Sequence, residues 1–248
     1  MTLNIKRTPS FNGQGFTFRG SGGGISVRTA ASSLNIVTSG LVMHLDAGNP
    51  ASYPGSGTTW TDLTGNSNNA TLYGGWSYDS ANGGRIIFDG VNGSAALLSA
   101  RTGFPFGSSP GSISGWGKID PGASIGWLFA YGNPSNGLAR FVGHVGSTYY
   151  FGGYNDDLTA PGMVADTWFN ICGTYDGTNA RLYINGSLVT GPIAKSWNTI
   201  DSYANVGAQT GGGDFLDGSV AQVLVYNTAL SDSEVLQNFN ALKARFGL

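Results

Sequence analysis

From Leu41 onward, apolar residues come in short runs closed by turn residues. Leu41-Val42-Met43-His44-Leu45 is closed by Asp46-Ala47-Gly48-Asn49-Pro50, and Arg85-Ile86-Ile87-Phe88 by Asp89-Gly90. Residues 168–175 run into Asp176-Gly177, and residues 180–184 into Asn185-Gly186. Asp-Gly and Asn-Gly accept positive φ and suit tight type I′ hairpins. Within 180–184, Ala180, Leu182 and Ile184 share one side, opposite Arg181 and Tyr183. That period of two predicts a half-buried strand. Residues 220–226 are almost continuously apolar and predict a strand in the middle of a sheet.

The period changes at the end of the chain. Ser231-Asp232-Ser233-Glu234 has the spacing of a capping box, with Ser231 at the N-cap and Glu234 at N3. Val235, Phe239, Leu242 and Phe246 then recur at helical spacing, with Lys243 and Arg245 where the helix dipole favours cations and Gly247 placed to stop the helix. The first 39 residues follow neither period for long. Phe16-Thr17-Phe18-Arg19 and Ile25-Ser26-Val27-Arg28 alternate briefly among Gly, Ser, Thr and Asn, including Gly22-Gly23-Gly24. Residues 1–39 therefore read as an arm with at most one hairpin, and 40–248 as one β-sandwich domain.

Composition agrees. The 248 residues include 41 Gly and only 10% charged residues, where ordinary domains carry about 25%. Of the 14 acidic residues 13 are Asp, and the one Glu is the helix-capping Glu234. Gly and Asp favour turns, which argues against a helical bundle or an α/β enzyme. Aromatics make up 12%, too many for a disordered chain. The single Cys172 excludes an internal disulfide and any Cys-based zinc site. No apolar run reaches the ~20 residues that span a bilayer, and the first residues lack an apolar signal core, so neither a membrane nor classical secretion is expected. The net charge of −2 gives no general case for nucleic acid. The charge is uneven, however. Lys6, Arg7, Arg19 and Arg28 precede the first acid, Asp46, leaving +4 on the first 45 residues and 8 basic against 14 acidic, −6, on the rest.

Several ordered motifs carry a family resemblance. They are residues 40–50 (Gly40-Leu41-Val42-Met43-His44-Leu45-Asp46-Ala47-Gly48-Asn49-Pro50), Trp60-Thr61-Asp62-Leu63-Thr64-Gly65-Asn66, Phe88-Asp89-Gly90 and Tyr175-Asp176-Gly177-Thr178. Leu182-Tyr183-Ile184-Asn185-Gly186 and Val225-Tyr226-Asn227-Thr228-Ala229-Leu230-Ser231 complete the set. Together they resemble the concanavalin A-like, laminin-G-like superfamily, in the version found in bacteriophage structural proteins. The resemblance covers roughly residues 40–246. It implies an all-β, two-sheet antiparallel jelly-roll sandwich with a short C-terminal helix, one sheet concave and used by relatives for glycans. The superfamily hosts lectins, hydrolases and structural modules, so it does not fix the function.

The chemistry needed for hydrolysis is missing. Glycosidases of this superfamily use two Glu around an Asp, and glycoside hydrolysis generally needs two carboxylates at a set separation. Here Glu234 stands by itself. Asp156-Asp157 is the one adjacent acidic pair, and strand neighbours point to opposite faces, so it reads as a turn. His44 and His144 lack a nucleophile elbow, Cys172 reads as a small buried apolar group, and Gly211-Gly212-Gly213 reads as a loop, not a phosphate cradle. No cofactor is required. Calcium is the ion such a chain could hold, through Asp156, Asp157, Asp214 and Asp217. Among the central aromatics, Trp127, Tyr131, Tyr149 and Tyr154, with Asn155 and Asp156 nearby, are the candidates for an exposed sugar-stacking platform.

The leading expectation is a non-enzymatic virion protein of a phage, assembled in the host cytoplasm. Its arm, through Lys6, Arg7, Arg19 and Arg28, would anchor it to capsid or tail proteins, and its sandwich would face outward as a homo-oligomer. The alternative is a lectin-like module binding host-surface glycans, with or without calcium. A glycoside hydrolase is a third class.

Overall fold

The computed structural model describes residues 35–91 and 93–248. The arm's Lys6, Arg7, Arg19 and Arg28 lie outside them. The folded unit starts at Asn35, so residues 35–39 of the expected arm belong to it. The first strands are β1 (Leu41–Asp46), β2 (Thr59–Trp60), β3 (Ala70–Tyr73), β4 (Trp76–Asp79), β5 (Arg85–Asp89) and β6 (Ala95–Leu98). The middle of the chain gives β7 (Gly111–Ile119), β8 (Ile125–Gly132), β9 (Ala139–Val145), β10 (Thr148–Gly152) and β11 (Leu158–Pro161). Then come β12 (Phe169–Tyr175), β13 (Asn179–Ile184), β14 (Ser187–Ala194), β15 (Tyr203–Val206), β16 (Asp217–Tyr226) and the helix α1 (Asp232–Leu242). Every pairing is antiparallel, and the strands form two eight-stranded sheets. One runs β14-β13-β12-β7-β16-β5-β4, with β1 also on β16; the other runs β11-β10-β9-β8-β15-β6-β3-β2.

The sandwich core follows from the period-two pattern. Ala180 and Leu182 point in from β13, and Ala70 and Leu72 from β3. Trp60, Phe88, Phe129, Phe151, Tyr175 and Trp197 are among the large side chains fully buried between the sheets. The apolar strand β16 is central as expected: it pairs β7 along one side and both β5 and β1 along the other. Asn185 and Gly186 both have positive φ, 50° and 76°, as a type I′ hairpin needs. The Asp176-Gly177 hairpin differs, with only Gly177 at positive φ. The Asp176 carboxylate instead accepts from the Thr178 and Asn179 amides at 2.9 and 2.7 Å, so a side chain closes this turn.

The Trp60–Asn66 motif covers a free strand edge. The outer edge of β1 would leave its backbone unpaired beyond β16. Buried Asp62 accepts from the backbone N–H groups of His44, Thr64 and Asn68, and the Val42 carbonyl receives Asn66 and Asn68 side-chain amides.

The outer face of the first sheet is covered over its central strands, while the edge strand β14 keeps Leu188, Val189 and Ile193 exposed. Ser231 and Glu234 form the predicted capping box, and α1 is followed by a 3-10 turn, Lys243–Phe246, that ends at Gly247 with φ 75°. Trp116 from β7 stacks on Phe239 and Phe246 at centroid distances of 5.6 and 4.3 Å. Beside them Val37, Cys172, Tyr183, Leu224, Tyr226 and Val235 make a second cluster. The backbone of Val37 is held from both sides: its N–H donates to Asn238 Oδ1 at 2.8 Å, and its carbonyl accepts from Tyr226 Oη–H at 2.9 Å. Arg245 closes the far end, donating to Asp46 Oδ1 and to the Asn82 and Gly84 carbonyls.

Candidate binding face

Among the described residues, no helix covers the outer face of the second sheet. Phe141, Ala130, Asn205, Leu97 and Thr71 stand in register across five neighbouring strands of this face. Their strand neighbours Val142, Tyr131, Ala204, Ala96 and Leu72 point the other way, into the core. This outer row divides the face into two unlike halves.

Over β8–β10 the face is packed. Trp127 and Phe141 lie 4.3 Å apart, Tyr150 meets Trp127 edge-on at 6.2 Å, and Tyr154 joins the cluster. Glycines make the room. A Cβ on Gly143 would strike the Trp127 ring, and one on Gly152 would strike Phe141 and the Asp157 carboxylate. An irregularity in the β8–β9 register between Trp127 and Phe129 turns both Leu128 and Phe129 inward while Trp127 stays outside. The loop before β16 then folds over the middle of the face. Asp214 Oδ2 accepts from Gln209 Nε2 at 3.0 Å and Trp127 Nε1 at 3.4 Å, and the Gln209 carbonyl accepts from Asn205 at 2.6 Å. Gly211, Gly212 and Gly213, all at positive φ, give that loop its path. Trp127, Ala130 and Asn205 are buried as a result.

Over β3, β6 and β15 the face is open. Tyr73, Leu97 and Tyr203 are 51%, 44% and 50% exposed. They lie on three adjacent strands and point away from the core. The Arg101–Asp201 ion pair stands next to them in sequence at the Tyr203 end.

The sequence-derived platform is corrected by this geometry. Tyr131 and Tyr149 point into the core, where Tyr131 Oη–H donates to the Pro105 carbonyl and Tyr149 packs edge-on against Phe169; burial pushes both phenols up. Trp127 faces outward but is 5% exposed beneath its neighbours. Tyr154 and Asn155 occupy a left-handed turn at φ 60° and 57°, and Asn155 donates to Asn136. Asp156 accepts from Lys195 Nζ at 2.5 Å and Trp197 Nε1 at 3.0 Å, which makes it a tie for the β10–β11 connection. The exposed rings on this face are Tyr73 and Tyr203, and the alternations Ala70-Thr71-Leu72-Tyr73 and Tyr203-Ala204-Asn205-Val206 carry the local signal that sets them opposite the core.

The four candidate metal aspartates fall in three places. Asp156 and Asp157 sit by Lys195, Asp214 sits by Trp127, and Asp217 lies opposite Asp89 in the β16–β5 pair. Among the described residues no group of three or more His, Cys, Asp or Glu converges as metal ligands would. The residues present therefore do not fit a carboxylate-rich calcium site. Burial raises the Asp157 carboxyl, whose Oδ1 is buried without a partner, and burial with Asp120 and Asp89 raises Asp217. Of the other reactive groups, Cys172 is buried on the covered face and its thiol is pushed up to about 12 by burial. Burial lowers His44, whose Nε2 lies 3.2 Å from Gln222 Nε2. Glu234 is engaged by Ser231 in the helix cap.

A sequence profile of the concanavalin A-like lectin/glucanases superfamily (Laminin_G_3) matches residues 89–236. A search among curated proteins returns no match. Among solved structures, domain 4 of AbnA, an extracellular GH43 arabinanase from Geobacillus stearothermophilus determined with arabinotriose, superposes with TM-score 0.59 at 17% identity over 80% of this chain and 97% of that one. The binding domain of Paraclostridial Mosquitocidal Protein 1 gives 0.60 at 18%, over 82% of this chain and 52% of that one. The binding domain of botulinum neurotoxin serotype G gives 0.61 at 14%, over 80% and 50%. The chain thus spans about half the length of the two toxin binding domains. At these identities the likeness is one of fold.

Proposed function

The chain belongs to the concanavalin A-like lectin/glucanases superfamily, and from that premise we propose that it is a carbohydrate-binding module that holds glycans without cleaving them. The observation that carries the reading is the asymmetry of the sandwich. One outer face has its central strands covered by α1 and residues 35–38, whereas the other presents the aromatic rings of Tyr73 and Tyr203 half exposed. Aromatic faces beside polar groups suit sugars, which offer apolar ring faces and hydroxyl edges. The fold neighbour determined with arabinotriose supports an oligosaccharide as the ligand. Binding without hydrolysis is supported by the carboxylates: Glu234 is used in a helix cap, Asp156 is paired with Lys195, and Asp214 is bonded to Trp127 and Gln209.

A glycan array probed with the full chain tests the reading. Retention of at least one glycan, unchanged by a chelator, is the expected outcome. Silence across the array at millimolar sugar overturns it, and release of reducing ends from a retained polymer would move the protein to the hydrolases.

Display on a phage particle is the second reading, and it rests on the uneven charge: +4 on the first 45 residues and −6 on the remainder. A basic segment suits an acidic docking surface. Deleting residues 1–34, which keeps the Val37 clamp, should leave a folded sandwich that no longer joins particles. Full occupancy by the truncated chain would end the idea. The two readings are compatible, because a displayed module can also hold host glycans.

A further inference from the structure

We propose that the open half of the glycan face is a track for the interior of an extended polysaccharide chain, laid diagonally across β3, β6 and β15 over Tyr73, Leu97 and Tyr203. This rests on the carbohydrate-binding reading and adds the class of ligand and its path.

The register gives the path. Leu97 pairs with Thr71 on one side and Asn205 on the other. Tyr73, opposite Ala95, lies two residues to one side of that row, and Tyr203 lies two residues to the other side on the next strand. The three exposed side chains therefore step diagonally across the sheet. With strands about 4.8 Å apart and a rise of about 3.4 Å per residue, Tyr73 and Tyr203 are roughly 17 Å apart at their Cα atoms. That span exceeds one sugar ring and fits several linked sugars. The spaces between the apolar steps are polar and small: Thr71, Asn69 and Ser99 border the line, and the Ser99 hydroxyl donates to the Asn69 carbonyl. The Gln209–Asp214 loop forms a bank beside Tyr203, whose ring Gly211 adjoins. Arg101 and Asp201, paired by Nε and Oδ1, stand at the Tyr203 end with groups suited to hydroxyls.

Area decides between a sugar chain and a protein. An aromatic side chain has 150–250 Å² to bury, so three half-exposed groups offer roughly 300 Å². A stable protein partner needs about 800 Å² from each side. Patches of a few hundred Å² are the size at which small, functional sites occur.

The experiment measures affinities of the full chain for mono-, tri- and hexasaccharides of arabinan, xylan and β-glucan by calorimetry. It compares the natural sequence with Tyr203→Phe and with the double variant Tyr73→Ala/Tyr203→Ala, each checked for an unchanged melting curve. For whichever polymer is retained, the hexasaccharide should bind at least about tenfold more tightly than the monosaccharide, a gap of 1.4 kcal/mol. The double variant should erase that gap, and Tyr203→Phe should keep it. Equal affinity for the mono- and hexasaccharide overturns the track, as does a double variant with unchanged hexasaccharide binding; in both cases the carbohydrate-binding reading survives. No retention of any glycan overturns both. Self-association that sedimentation shows to be lost in the double variant would assign the patch to a second copy instead.

Discussion

The two outer faces of this sandwich carry similar numbers of aromatic rings and use them in opposite ways. On the first sheet, Trp116 stacks on Phe239 and Phe246 and disappears under a helix. On the second, Tyr73, Leu97 and Tyr203 remain half exposed on strands whose other side is fully packed. The lesson is that an aromatic residue on a strand carries no functional meaning until its cover is known. A ring under a helix contributes stability; a ring in water has that free energy still to gain, and a ligand can supply the burial.

The sharpest way to break this contrast is to truncate one ring on each face. Trp116→Ala should lower stability by about 3–5 kcal/mol in chemical denaturation, the usual cost of a large buried ring. If it costs no more than an exposed substitution, the helix is not seated as described. Next in size is the clamp on residue 37. Asn238→Ala leaves the buried Val37 N–H and Tyr226 hydroxyl short of a partner and should cost about 1–3 kcal/mol. Ser231→Ala removes the helix cap and should cost ~1 kcal/mol in the same assay. On the other face, Tyr73→Ala or Tyr203→Ala should change stability by less than about 0.5 kcal/mol, as surface changes do. A large loss there would mean that those rings are structural after all.

Acid sharpens the comparison in sign. Ser231 holds the Glu234 carboxyl below its usual range, so its contribution is present at neutral pH and is lost as pH falls through the lowered value. Burial holds Asp157 above its usual range, so the folded state gains relative stability as pH falls through that raised value. Asp157→Asn should therefore raise the melting temperature at neutral pH and steepen the loss of stability in acid, whereas Glu234→Gln should lower stability at neutral pH and flatten that loss. The Cys172 thiol reports on the covered face directly. It should resist thiol reagents in the native protein and react at the rate of opening, because burial keeps it protonated.

Much of the fold could be read from the chain. The alternation of 180–184, the apolar run of 220–226 and the Ser231–Glu234 box each specify their element by local physics, and each forms. The candidate site was less legible. Period two tells which residues share a face, but not which face will be covered. Period two alone puts Tyr131 on the face of Trp127, but the bulge between Trp127 and Phe129 shifts the phase within β8 and turns Tyr131 inward; of the adjacent Tyr149 and Tyr150, nothing local says that Tyr149 is the one that faces the core. Trp127 was placed on the correct side, yet it is hidden by Asp214, 87 residues away in sequence. Such long-range cover leaves no local signal. The Asp62 cap on β1 shows the same limit: its motif is recognisable, but the His44 N–H from which Asp62 accepts belongs to a strand 18 residues away in sequence.

The two-sided grip on Val37 also has a mechanical meaning. A load transmitted along the chain from upstream of Asn35 reaches the Asn238 and Tyr226 hydrogen bonds before it reaches any strand. Those bonds lie on the face opposite the open tyrosines. Under tension, residues 35–38 would peel away first and extend by about 3.3–3.6 Å per residue released, while the sheet that carries Tyr73 and Tyr203 stays intact. The clamp is thus a built-in fuse: residues 35–38 yield before either sheet does.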